Sequence, residues 1–193
     1  MTRGSYHHGD LKAVILAQAA TLVAERGADG VSLRELARAA GVSHAAPAHH
    51  FTDRRGVFTA LATQGWRMLA AALGESRPEF LDAALAYVRF AVDHPGHYEV
   101  MFDRSLVDPD NPELVAAQTE AGAELAAGVG TLDDARARED PQAAGLAAWS
   151  LVHGFAMLWL NEAIDTDADA VVTARRVARM LFTPGPVGDA GRG

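Results

Sequence analysis

Eight histidines, 25 carboxylates and no cysteine make up the acid–base and metal-binding repertoire of this 193-residue chain. Asp93, His94 and His97 come nearest to a metal set, because Asp93 and His97 stand one helical turn apart. Pro95 and Gly96 interrupt that turn, so the three are not held on one face and no metal is expected. Ser150 and His153 place a hydroxyl and a base three residues apart, but no acid is spaced to orient the imidazole. Glycine-rich phosphate loops, nucleophile elbows and paired carboxylates on an apolar face are all missing from the sequence. Neither an enzyme nor a cofactor is therefore expected. What remains is a group of histidines at 44, 49 and 50, set among small residues in S-L-R-E-L-A-R-A-A-G-V-S-H-A-A-P-A-H-H-F, residues 32–51.

The elements around these histidines follow from spacing. Ser32 and Glu35 fit a capping box, which starts a helix. Leu33, Leu36, Ala37 and Ala40 fall at i, i+3, i+4 and i+7 on its apolar face. Gly41 stands where the chain must reverse. Ser43 can cap a second short helix, in which Pro47, four residues beyond the cap, removes at most one backbone bond. His44, Ala45, Ala46, Ala48 and His49 are small or polar, a composition that permits close approach to base edges in a DNA major groove. The same spacing also fits an ordinary helical hairpin inside a bundle.

The flanks add a preceding helix, capped by Asp10 with Leu11, Ile15, Ala19 and Leu22 on one stripe and ending at Gly27. A following helix starts at Thr52 or Asp53 and turns Val57, Phe58, Leu61, Met68 and Leu69 inward. Taken together, Tyr6-His7-His8-Gly9-Asp10-Leu11, Glu25-Arg26-Gly27, Ser32 to Ala37, Gly41-Val42-Ser43, His49-His50-Phe51 and Arg54 resemble the amino-terminal domain of the TetR (tetracycline-repressor) family. The resemblance implies a helix-turn-helix DNA-binding domain over 8–73, with the motif at about 32–51. It places Ser43, His44, Ala45, Ala46, Ala48 and His49 at the groove and Ser32, Arg34 and Arg54 on phosphates. Arg54 stands where the family usually has lysine, and Ala48 where it often has an aromatic hydroxyl, which puts one DNA contact in doubt.

Charge is divided along the chain. Residues 1–60 carry seven Lys or Arg against five Asp or Glu, a formal +2, and the remainder ten against twenty, giving −8 for the whole. An acidic protein with one cationic end is oriented by nucleic acid without coating it. No apolar run long enough for a bilayer and no signal-like amino terminus are read from the sequence, so a cytoplasmic protein with no membrane partner is expected.

Beyond residue 73 the pattern predicts an all-helical second domain over 74–182, with helices at Phe80–Asp93, Tyr98–Val107, Glu113 to about Arg138, Gln142–Ile164 and Asp169–Phe182, and a disordered tail at 183–193. On the helix from Gln142, Trp149, His153 and Met157 fall on one side while Leu151, Phe155, Leu158 and Trp159 fall on the other. Such a helix must be covered twice, and a second copy is the simplest second cover. With Val177 and Leu181 of the last helix, it predicts a four-helix interface in a homodimer. Trp149-Ser150-Leu151-Val152-His153-Gly154 and the run His94 to Phe102 resemble the TetR subgroup named for a Trp-His-Gly motif, whose domain binds an effector. Tyr87, Tyr98, Met101, Phe102, Trp149, His153 and Met157 could line an apolar site for a small molecule of unknown identity, or could simply fill the core.

The combined expectation is an all-α, ligand-responsive DNA-binding regulator, acting most often as a repressor on a palindromic double-stranded operator. The alternative is a helical ligand-binding or protein-interaction module whose DNA-binding domain has weakened or lost its grip.

Overall fold

The computed structural model describes residues 8–76, 80–132 and 134–181, which are helical with no strand among them. The helices are α1 (His8–Arg26), α2 (Leu33–Ala39), α3 (Ala46–Phe51), α4 (Arg54–Glu75), α5 (Phe80–Asp93), α6 (Pro95–Phe102), α7 (Pro112–Val129), α8 (Ala135–Glu139), α9 (Pro141–Leu160) and α10 (Ala170–Leu181). Tyr6, His7, the Arg77-Pro78 break, Phe182 and the tail at 183–193 lie outside the described residues.

The helices gather into two compact units. Residues up to 68 join 94–119 in the first, and 69–93 join those from 120 onward in the second. The boundary expected at residue 73 therefore falls within α4, and α6 belongs to the first unit.

In the first unit α1 supplies Ile15, Ala19 and Val23 to the core, α2 supplies Leu36 and Ala37, and α4 supplies Val57, Phe58 and Leu61. Full burial of each of the larger of these side chains is worth about 1.5–3 kcal/mol before chain entropy is counted. α6 packs on α1 through Gly96, where any Cβ would collide with the Ala20 carbonyl. Pro95 takes the first turn of α6, so that helix starts three residues before the expected Tyr98 and ends at Phe102. Asp10 lies inside α1, two residues past its first described residue, and not ahead of it as a cap.

In the second unit α5 is central. Its alanines at 83, 84, 86 and 91 let α9 and α10 approach closely. α9 answers with Ala148, Val152, Phe155 and Ala156, and α10 with Ala170, Ala174 and Ala178. The helix expected from Glu113 to Arg138 is two helices. α7 stops at Val129 in a turn closed by Thr131 N–H to Gly128 O and Leu132 N–H to Val129 O. Asp134 then caps α8 and Asp140 caps α9 through their side chains.

One expectation is corrected here. α9 is in fact long and apolar enough to cross a membrane by length and composition, with a mean hydropathy of 1.5 over its best window. Its alanines and glycines break up the visible run of large apolar residues. The helix packs on α5 and α10 through one side, burying Ala148, Val152, Phe155 and Ala156, while Leu146, Met157 and Leu158 are exposed.

Candidate nucleic-acid interface and ligand cavity

The α2–turn–α3 segment is closed by local bonds that the sequence encodes directly. Ser32 N–H and Oγ–H donate to Glu35 Oε2 at 3.0 and 2.9 Å, and Glu35 N–H donates back to Ser32 Oγ at 3.3 Å. The Ser32 hydroxyl, more than any other neighbour, holds the Glu35 carboxyl below its ordinary range. At the other end of α2, Val42 N–H bonds Ala37 O and Gly41 N–H bonds Arg38 O. Gly41 has φ +67, so this is a Schellman end in which only a residue without Cβ is unstrained.

α3 begins at Ala46, two residues later than the Ser43 cap predicts. The reason is Pro47, which sits in the first turn where a missing N–H costs no bond. Ser43 holds the entry to the helix through its carbonyl, which accepts from Ala46 N–H at 3.0 Å. Pro47 and Phe51 face the core, and Lys12 Nζ stands 5.6 Å from the Phe51 ring. Arg34, Ser43, His44, Ala45, Ala48 and His49 are exposed and Ala46 is half-buried. His49 and His50 stand edge to face at 5.5 Å, with His50 turned toward Phe51.

Arg54 occupies a different environment from the other expected phosphate groups. Its Nε donates to Val31 O at 2.9 Å and its Nη2 to Ala28 O at 2.6 Å. Asp29 lies 3.7 Å from Nη2, and the guanidinium lies over the Phe58 ring at 4.7 Å. From α6, Glu99 Oε1 accepts Ala28 N–H at 2.6 Å. The turn between α1 and α2 is thus clamped by a cation on one side and a carboxylate on the other. Sequence reading missed Glu99, since its partner is 71 residues away and nothing local marks it. It also missed Arg55, which donates to Val107 O at 2.9 Å.

The residues expected to line a ligand site divide between the units. Tyr98, Met101 and Phe102 are in the first, where Phe102 packs on Trp66 and Tyr98 at ring distances of 5.0 and 4.9 Å. Tyr87, Trp149, His153 and Met157 are in the second. Trp149 Nε1 donates to Tyr87 Oη at 3.2 Å, and Tyr87 Oη lies 3.0 Å from His153 Nδ1. With its oxygen accepting from the indole, the Tyr87 hydroxyl can donate to Nδ1, which needs the neutral imidazole. Burial lowers the His153 pKa in the same sense. Met157 is exposed.

A cavity of about 600 Å³ opens between α7, α8 and α9, with Trp149 in its wall. The contribution of α7 and α8 was not legible, because no periodic signal marks a short helix folding over a groove. Of the residues expected at a dimer interface, Leu158 is 52 % exposed and Leu151, Trp159 and Val177 are half-buried. Phe155 is buried within its own unit and stacks on Trp159 at 5.9 Å. The side chain of Leu181 lies outside the described residues. No group of three His, Asp or Glu is gathered for a metal among the described residues. His97 instead pairs with Gln64 at 3.3 Å.

A helix-turn-helix with an exposed, small-residue surface, followed by a helical unit with an apolar cavity, defines a class of one-chain DNA-binding transcriptional regulators. Residues 15–61 match the family described as bacterial regulatory proteins, tetR family, and residues 80–181 match the tetracyclin repressor-like C-terminal domain. The chain belongs to the TetR family. It is similar to a solved structure of a protein of unknown function from Rhodococcus sp. RHA1, at 34% identity over 93% of this chain and 97% of that one, with TM-score 0.71. The fold is shared with the TetR family transcriptional regulator PfmR from Thermus thermophilus, at 21% identity, 87% and 96% coverage and TM-score 0.70. It is also shared with AibR, solved with isovaleryl coenzyme A and operator DNA, at 18% identity, 91% and 100% coverage and TM-score 0.66. No curated protein matches the chain by sequence.

Proposed function

We propose that this chain is a homodimeric repressor that leaves its operator when a small-molecule effector binds the second unit. It works in the cytoplasm, catalyses no reaction and falls in the Trp-His-Gly subgroup. The observation that carries this reading is the exposed surface of Ser43, His44, Ala45, Ala48 and His49. It lies beside a tightly closed helix-turn-helix turn. Small side chains there admit base edges, while Arg34 supplies charge for a phosphate. The exposed Leu158 on α9 and Val172 and Met180 on α10 leave an apolar surface for a second copy. A twofold pair of reading helices matches a palindrome with half-sites about one helical turn, roughly 34 Å, apart. AibR, which shares the fold, was solved with both an acyl coenzyme A and operator DNA, which supports coupling of the two events. Such coupling needs an effector that binds the two states unequally.

The test is competition binding of the purified protein to duplexes from its own upstream region, against random-sequence DNA at fixed salt. Competitor-resistant binding that falls on His49→Ala supports a specific reader. Equal, weak binding to every duplex favours the interaction module.

A further inference from the structure

A single strained residue makes the reversal from α3 into α4. The last bond of α3 runs from Thr52 N–H to Ala48 O at 2.9 Å, and the first bond of α4 from Val57 N–H to Asp53 O at 3.2 Å. Between them Thr52 has φ 69 and ψ −57, and Asp53 N–H donates to Phe51 O at 2.8 Å. This is the rarer, positive-φ form of the γ-turn, strained for any L residue and most of all for a β-branched one. Among the described residues only Thr52 and Glu162 combine a side chain with a positive φ.

Gly56 shows what the strain maintains. A Cβ there would collide with the Phe51 carbonyl oxygen, so the end of α3 rests directly on the first turn of α4. Asp53 closes this seat, its Oδ1 accepting Gly56 N–H at 2.7 Å. Glycine is the poorest helix former after proline, so propensity does not favour it at the third position of α4. α3 itself has six residues and no side-chain bond at its amino end. Its direction therefore depends on the seat at its carboxyl end and on the burial of Pro47 and Phe51.

We propose that Gly56 is a positioning residue of the DNA reader: it lets α3 sit on α4 and so sets the angle at which Ala48 and His49 meet base edges. The proposal rests on the reading of the α2–α3 surface as the base-reading face of a regulator. A methyl at position 56 fits only after the Phe51 carbonyl has moved by about one ångström or more. A binding constellation tolerates about 0.5 Å. Discrimination between sequences is then lost, whereas attraction to phosphates, which needs charge more than aim, survives.

The experiment selects preferred duplexes from a random pool with the full-length wild-type protein, then measures anisotropy on a selected and a random-sequence duplex. Each variant is measured at several salt concentrations and well below its own unfolding midpoint. Gly56→Ala is expected to lower the ratio of selected to random affinity by about tenfold or more. Its random-duplex affinity stays within about twofold of wild type, with the same salt slope. Asp53→Ala removes the cap and introduces no clash, and is expected to lower the ratio by about threefold or more. It decides the matter if Gly56→Ala does not fold.

A loss of affinity that is equal for both duplexes overturns the proposal, because a residue that only holds the fold reduces the competent fraction for every sequence alike. A ratio unaltered in Gly56→Ala overturns it as well, and helix propensity alone would then show as a raised midpoint. That outcome removes this inference and leaves the regulator reading, whereas a wild type that enriches no sequence from the pool removes both.

Discussion

Replacing Arg54 by alanine distinguishes a structural clamp from a phosphate contact, because the two roles move different observables. Two charge-assisted bonds to carbonyls are lost, at 2.9 and 2.6 Å, together with the guanidinium over Phe58. Bonds to charged groups contribute about 1.5–3 kcal/mol each when well shielded. These are part-buried, so a combined loss of about 2–4 kcal/mol is expected, with a few tenths added by the aromatic contact. Against a domain stability of roughly 5–15 kcal/mol, that loss lowers the unfolding midpoint by about 10 °C or more. Arg54→Lys keeps the charge and loses the fork, so it should recover less than half of the loss.

Two measurements decide. Thermal unfolding by circular dichroism reads the clamp. Anisotropy on a random-sequence duplex, at several salt concentrations and well below both midpoints, reads phosphate contacts through the slope of log affinity against log salt. The clamp predicts a large fall in midpoint and an unchanged slope. An unchanged midpoint with a slope shallower by about 0.9 would refute the reasoning and return Arg54 to the DNA.

Arg34→Ala should do the reverse, flattening the salt slope by about one contact while leaving the midpoint within about 0.5 kcal/mol of wild type, as measured by the same pair of assays. Tyr87→Phe removes the acceptor for Trp149 Nε1 and the donor for His153 Nδ1, so a loss of about 1–3 kcal/mol is expected in denaturant unfolding. Burial, and secondarily His94, depress the His97 pKa to about 4 from an ordinary 6.5. The unfolded chain therefore takes up that proton first, and stability present above pH 6.5 declines as pH falls toward 4, by up to about 3 kcal/mol. His97→Gln should flatten that part of the stability curve; an unaltered curve would assign the acid sensitivity to other groups. Gly96→Ala, which drives a methyl into the Ala20 carbonyl, should cost several kcal/mol or force α6 off α1, read as lost hydrogen-exchange protection along α1.

How much of this was legible in the sequence depends on the range of the interactions. The α2 capping box and the Gly41 reversal are closed within six residues, and both are readable because each partner's type is dictated by the other. The end of α5 at Asp93 was readable because its apolar spacing stops at the His94-Pro95-Gly96 break. The start of α3 was not, since Ser43 and Ala45 compete for the end of the same helix. The first-turn preference of Pro47 decides between them. The site was legible on the DNA side as a set of small exposed residues at one local motif. On the ligand side it was not, because its lining is assembled from α7, α8 and α9 by packing, and three of its lining residues, Gly122, Gly130 and Gly145, are glycines with no signal of their own.

The clamp on the α1–α2 turn gives the division into units a physical meaning. Glu99 lies on α6, a helix whose sequence position belongs with the second domain, yet its carboxylate holds the turn that leads into the reading motif. Ala28 is bonded on both sides of its peptide, through N–H to Glu99 and through its carbonyl to Arg54. A displacement of α6 by about one ångström would stretch the 2.6 Å bond beyond useful geometry, since hydrogen bonds weaken steeply outside roughly 2.7–3.2 Å. The orientation of the turn therefore depends on α6 as well as on its own residues. Glu99→Gln keeps the shape and an acceptor oxygen while removing the charge, so it should retain the fold and loosen the turn, seen as faster exchange of the Ala28 amide. If that amide exchanges at the wild-type rate in Glu99→Gln and Glu99→Ala alike, α6 does not hold the turn, and the helix-turn-helix is positioned by α1 and α4 alone.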